Sequence, residues 1–196
     1  MAAVLTAAVL LLIQLDRCIR PVVVAVCNEE CRAYVSGLIS SSIQKTLSEH
    51  PADYDDFAEV QYASDGSITA VETLSGNVNR IQVQLLRDMN ETLEESRDHE
   101  ISVSLGTASG VWLFAGRGPE IPLRFLPIGS AEVQLVSLLE SAGINQTCHT
   151  ILVKVTVHAA GAIPFCRTET EVEYEYLLTE TLLVGDVPES YMTFGG

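Results

Sequence analysis

Four glutamates at alternate positions, Glu169, Glu171, Glu173 and Glu175, come nearest in type and spacing to residues that could do chemistry. Alternate positions of an extended chain share a face. Any two of these carboxyls could therefore serve as the acid and the base or nucleophile of glycoside cleavage, which needs only a pair at a suitable separation. The same pattern is that of the wet face of a half-exposed strand, where a row of like charges also guards against edge-to-edge aggregation. The solvated face is the preferred reading. Such a face could still attract a basic partner protein or weakly held divalent cations.

Other chemistry-bearing residues are less organised. The histidines, His50, His99, His149 and His158, show no HExxH, HxH or paired-ligand spacing. His149 follows Cys148 directly, which on a strand sends the two to opposite faces. The glycine-rich GRGPE at 116–120 lacks the Lys-Ser/Thr that would hold a phosphate and its magnesium. No catalytic residue, metal site or cofactor is expected. The cysteines, Cys18, Cys27, Cys31, Cys148 and Cys166, form no CxxC pair. Cys27 and Cys31 lie one helical turn apart and read as core. Cys148 and Cys166 would permit a disulfide in an oxidising compartment if a ribbon brought them level, without requiring one. The only tryptophan, Trp112, stands near Phe114 and Arg117 in a stretch dense in glycine and proline. Those three residues could build a ligand or membrane-surface loop. The preferred alternative is a short helix packed under the sheet, because neighbouring aromatics are more often core anchors.

The elements that must carry these residues follow from periodicity. Ile151, Val153, Val155 and Val157 face one way while Leu152, Lys154, Thr156 and His158 face the other, which predicts a half-buried strand. Cys166 to Leu178 alternates in the same manner, with the glutamates opposite Thr168, Thr170, Val172, Tyr174 and Tyr176. A Gly/Pro segment, Gly161 to Pro164, separates the two runs, and Val133, Leu135 and Leu139 predict a third strand before Ala142-Gly143. Upstream, Cys27, Cys31, Val35, Leu38, Ile39, Ile43 and Leu47 form a helical stripe between Pro21 and His50. Ser64-Asp65-Gly66-Ser67 is a hairpin turn between Val60/Tyr62 and Ile68/Ala70. Val78, Ile81, Leu85, Met89 and Leu93 mark a second helix with Asn77 or Ser75 as its cap. The fold class is thus α+β: N-terminal helices, a β-hairpin and helix, then an antiparallel β meander.

At 196 residues the chain can bury a core of ordinary size, and its net charge of −15 excludes nucleic acid as a partner. Ala2 to Ile13 is apolar apart from Thr6. A cleaved signal peptide, a buried helix and a membrane anchor compete for this run. The anchor is the preferred reading, although it is shorter than a comfortable span and Arg17 and Arg20 lie on the wrong side for an outward body. Residues 1–20 are expected to be the anchor and 21–196 a single extracytoplasmic α+β domain.

The strings SVSLGTASGVWLFAGRGPEIPLRFLPIGS, ESAGINQTCHTILVKV, IPFCRTETEVE and TETLLVGDVPESY resemble sporulation protein YunB of endospore-forming Bacillota. DGSITAVET followed by NVNRIQ resembles it too, so the likeness runs from about Arg20 to Tyr191. It implies a protein made in the mother cell, held by one N-terminal membrane helix, with an extracytoplasmic α+β domain, needed for spore formation and without known enzymatic activity. Members of this kind carry basic residues and a fuller apolar span ahead of the position of Asp16. No site residues transfer. The expected function is non-catalytic, through protein partners in the spore envelope; the alternative is a cell-wall-modifying enzyme of unrecognised type. Glu169, Glu171, Glu173, Glu175, Trp112 and Arg117 are the candidate interaction residues.

Overall fold

The computed structural model describes residues 2–108, 112–143, 145–163 and 166–184, with side chains except at 2–13, 15, 16, 18, 19, 108 and 166. The expected α+β order is present: a helix, a small hairpin, a second helix, then a run of strands. Helix α1 spans Ala2–Glu49. The sequence predicts a helix opening near Pro21, yet Pro21 lies inside α1. Proline removes one backbone donor and crowds the carbonyl four residues back, a loss that a helix with intact turns on both sides can carry. The helix stops at Glu49, as Pro51 predicts by disfavouring helical geometry at His50.

The chain forms two compact units. The first comprises Met1–Ile39, Asn90–Ala131 and Thr156–Glu173. In it, strand β3 (Glu100–Ser104) pairs antiparallel with β4 (Glu120–Pro127), Ile101 opposite Leu123 and Val103 opposite Ile121. β4 pairs in turn with the end of β6 (Gln146–Ile163), Phe125 opposite Gly161 and Pro127 opposite Ala159. Pro122 sits beyond the β4–β6 pairs, where no donor is asked of it. The strand β7 (Cys166–Val184) also pairs with β6. Cys27, Cys31, Val35 and Ile39 of α1 are fully buried, as are Leu123, Phe125 and Ala159. Tyr34 stacks on the His99 ring at 4.9 Å and meets Phe125 edge-on at 5.2 Å. Burial, with the neighbouring Cys27, pushes the Cys31 thiol up to about 11, so Cys31 is an inert core residue.

Two expectations fail in this unit. The stretch from Ile101 to Pro127 is not a short helix under a sheet. It is β3 and β4 joined through a one-turn helix α4 (Leu105–Ala108) and a 3-10 turn (Trp112–Phe114). Glycine and proline density hid two short alternating runs there. Nor does the chain turn at Gly161. β6 continues to Ile163, and a Cβ at Gly161 would lie 2.8 Å from Leu123 Cδ1, so this glycine serves close packing of β4 on β6.

The second unit comprises Ser40–Met89, Glu132–Val155 and Tyr174–Gly196. An unanticipated turn of helix, α2 (Tyr54–Phe57), precedes strands β1 (Ala58–Tyr62) and β2 (Ile68–Thr73). Their hairpin closes as predicted: Gly66 takes a φ of 86°, and the Ser67 amide donates to Asp65 Oδ1 at 3.0 Å. Helix α3 spans Ser75–Glu95, so Ser75 and Asn77, the expected caps, lie within its first turn, and the Leu74 carbonyl accepts from the Asn77 and Val78 amides. Ile81, Leu85 and Met89 are buried on it. The buried Asp88 accepts from Thr46 Oγ1 at 2.7 Å and Gln84 Nε2 at 2.9 Å. Strand β5 (Glu132–Gly143) lies beside β6, where Ile151, Val153 and Val155 are buried in the predicted alternation. Lys154 pairs with Glu175 and Thr150 with Glu180. Partner numbers rise on β6 as they fall on β7, which is antiparallel pairing. That register sets Cys148 level with residues just past Glu180, not with Cys166, the first residue of β7, and Cys148 carries a free thiol.

Candidate functional site: an acidic groove and a buried histidine relay

The glutamate row does lie on the exposed side of β7, with Thr168 and Val172 buried on the other. Three of its members, Glu169, Glu171 and Glu173, line a groove of about 1000 Å³ in the first unit together with Glu29, Glu30 and Arg32 of α1. Helical spacing on α1 and alternation on β7 thus bring five carboxylates around one concavity, with one guanidinium among them. Glu169 lies 3.6 Å from Arg167. No ion pair involves Glu171 or Glu173 among the described residues. Asn28, which also lines the groove, has its side-chain oxygen buried without a donor. Glu175 is not part of this groove: it belongs to the second unit, 2.6 Å from Lys154 Nζ. Glu29, Glu30 and Arg32 lie off the apolar stripe of the helix, and no spacing links them to residues 169–173.

Trp112 and Arg117 are not in the groove either. Trp112 is 85% exposed, and Leu113 and Phe114 are more than half exposed, which overturns the expectation of aromatics packed under a sheet. The ends of the segment that carries them are joined by backbone bonds, from Leu105 to Pro119 and from Gly106 to Arg117.

A third constellation was not legible in the sequence. His149 is buried, with Nδ1 2.7 Å from the Tyr54 hydroxyl and Nε2 2.7 Å from Ser137 Oγ. Tyr54 also meets the ring edge-on at 5.4 Å. The three come from α2, β5 and β6, so no spacing rule joins them. An exposed serine hydroxyl on a buried imidazole has the reach of a nucleophile on its base. Acyl transfer would also need donors aimed at a developing oxyanion on a substrate, and the Tyr54–His149–Ser137 contacts do not supply them. The relay's direct consequence is for stability. Desolvation pushes the His149 pKa below its ordinary value. The unfolded chain then binds a proton that the native ring resists, so stability is full above the ordinary histidine value and falls as pH drops below it. Both hydroxyls can turn to accept, leaving burial as the cost of charging the ring. Thermal melts from pH 8 to pH 5 should show a falling midpoint in the parent chain and a flatter profile in His149→Gln. His149→Ala should lose about 3 kcal/mol from two hydrogen bonds and a cavity. An unchanged melt in His149→Ala would show that the relay is not formed.

Among the described residues no group of histidine, cysteine or carboxylate side chains could hold a metal ion, and no helix is long and apolar enough to cross a membrane. The expected anchor falls largely on side chains outside the described residues.

Fold and groove together define an α+β protein with an acidic, concave surface built on a helix and a strand. The family described as Sporulation protein YunB (Spo_YunB) matches residues 100–190. The Sporulation protein YunB of Bacillus subtilis (strain 168) is 24% identical over 188 residues, covering 91% of this chain and 74% of that protein. Over residues 100–190, and along most of its length in the Bacillus subtilis protein, the chain is similar to the sporulation protein YunB family, a likeness that supports a role in sporulation. No solved structure matches it.

Proposed function

We propose that the protein is anchored in the mother-cell membrane by its N-terminal apolar run and acts without catalysis, through partners of the forming spore envelope. The groove carries this reading. Glu29, Glu30, Glu169, Glu171 and Glu173 converge there, with Arg32 lining the groove beside them and Arg167 against Glu169. Such a surface favours a basic protein segment by long-range attraction, and the orphaned Asn28 oxygen favours an N–H donor. The run Ala2–Ile13 supports the anchor, and an outward-facing domain follows from it.

The test is made on membranes from fractionated sporulating cells. The parent chain should sediment with mother-cell membranes and retain a basic protein partner in a salt-sensitive complex. Replacing Glu169, Glu171 and Glu173 together by glutamine should weaken that complex by about tenfold or more, while location and thermal midpoint stay unchanged, because exposed charges contribute little to stability. A complex indifferent to both salt and the triple replacement would remove the groove from the mechanism. A chain found soluble in the mother cell would remove the anchor.

A further inference from the structure

The α4 and 3-10 segment between β3 and β4 has a construction of its own. Its ends are locked by backbone bonds: the Leu105 amide donates to the Pro119 carbonyl at 2.8 Å, and the Gly106 amide to the Arg117 carbonyl at 2.8 Å. Inside, the Gly116 amide donates to Thr107 Oγ1 at 3.0 Å, and that hydroxyl lies 2.8 Å from Ser104 Oγ. At the tip Trp112, Leu113 and Phe114 are all exposed, with Leu105 exposed at the base. A tied loop of this kind holds its apolar residues out without an ordering cost at the moment of contact.

Geometry and charge both narrow what could cover them. Successive residues of a 3-10 turn project about 120° apart, so the three side chains point around the axis in three directions. A protein face would cover one side of such a tip, whereas an apolar phase would envelop all of it. The chain as a whole carries −15, which repels anionic headgroups, yet residues 101–119 contain no aspartate or glutamate and carry one cation, Arg117. Tryptophan with a flanking arginine is the side-chain pairing suited to the boundary between headgroups and acyl chains.

We propose that Trp112, Leu113 and Phe114 insert into the headgroup–acyl boundary of a lipid bilayer, with Arg117 at headgroup level, as a membrane contact separate from the N-terminal run. Because Trp112 is the only tryptophan, its fluorescence reads the tip directly. The full-length chain is reconstituted with phosphatidylcholine–phosphatidylglycerol vesicles, some with brominated acyl chains. Vesicle flotation reads association of the chain as a whole, and Trp112 emission reads the tip. The expected result is a blue-shifted emission, quenched by the bromines and shielded from aqueous iodide. Leu113→Ser with Phe114→Ser, both on exposed positions, should lower the lipid-shielded fraction by about tenfold with an unchanged circular dichroism spectrum. A chain that floats with the vesicles while Trp112 stays iodide-accessible overturns the proposal and leaves the anchor standing. A chain that neither floats nor shifts overturns both. A blue shift that grows with protein concentration in the absence of lipid assigns the tip to self-association and overturns it as well.

Discussion

Val155→Asp is expected to remove a large share of the second unit's stability. Val155 is 1% exposed in the run of β6 where Ile151 and Val153 are also buried. Lys154 is the neighbouring cation, but it sits on the opposite face of the strand and is taken by Glu175. A carboxylate at 155 would therefore be buried without a partner, at a cost of about 4 kcal/mol or more once the lost valine packing is included. Domains of this size are stable by only about 5–15 kcal/mol, so the loss takes away a large share of the whole. Val155→Ala separates packing from charge: it should cost about 2 kcal/mol and leave a cooperative urea transition. Circular dichroism melts of the two variants decide the matter. An aspartate variant melting with the parent would mean that β6 does not face a core at this position.

The second large effect is expected at Gly106, and it is local. A Cβ there would lie 1.8 Å from the Phe114 carbonyl oxygen and 2.4 Å from that of Arg117. Both are backbone atoms, so no rotamer change relieves the clash, and the Gly106–Arg117 hydrogen bond must break. Gly106→Ala should open the 105–119 loop at a cost of about 3 kcal/mol, the sum of a lost closing bond and displaced backbone. Tryptic cleavage after Arg117 should accelerate by more than about tenfold, and Trp112 anisotropy should fall. The melting of the remainder should move much less. Unchanged proteolysis in Gly106→Ala would show that the loop is open already. The same variant bears on lipid insertion, since a loosened tip must be ordered before it inserts.

Neither effect could be ranked from residue types alone. Valine in an alternating run announces a buried strand face, and that much of Val155 was legible. Gly106 sat in a stretch whose glycines all looked alike. Only the approach of two carbonyls sets it apart from Gly116, which has open space around its Cβ position. Trp112 is the sharper lesson. Burial statistics favour a packed aromatic, whereas Trp112 stands 85% exposed.

What the sequence determined by itself is what short-range periodicity encodes. The α+β order, the Asp65-Gly66 hairpin, the buried stripe from Cys27 to Ile43, the alternation of β6 and the wet glutamate face all follow from spacings within one element, where neighbours along the chain decide which side meets water. The likeness to the YunB family was legible for the same reason, as ordered strings. The remaining features depend on residues far apart in the chain. The groove needs α1 and β7 together, and the His149 relay draws on α2, β5 and β6. Gly161 is a packing site because β4 arrives beside it. The partition of the glutamate row, three in a groove and Glu175 on Lys154, is set by which residues pairing brings level. Contacts of long sequence separation leave no period in the sequence, so composition and spacing carry no trace of them.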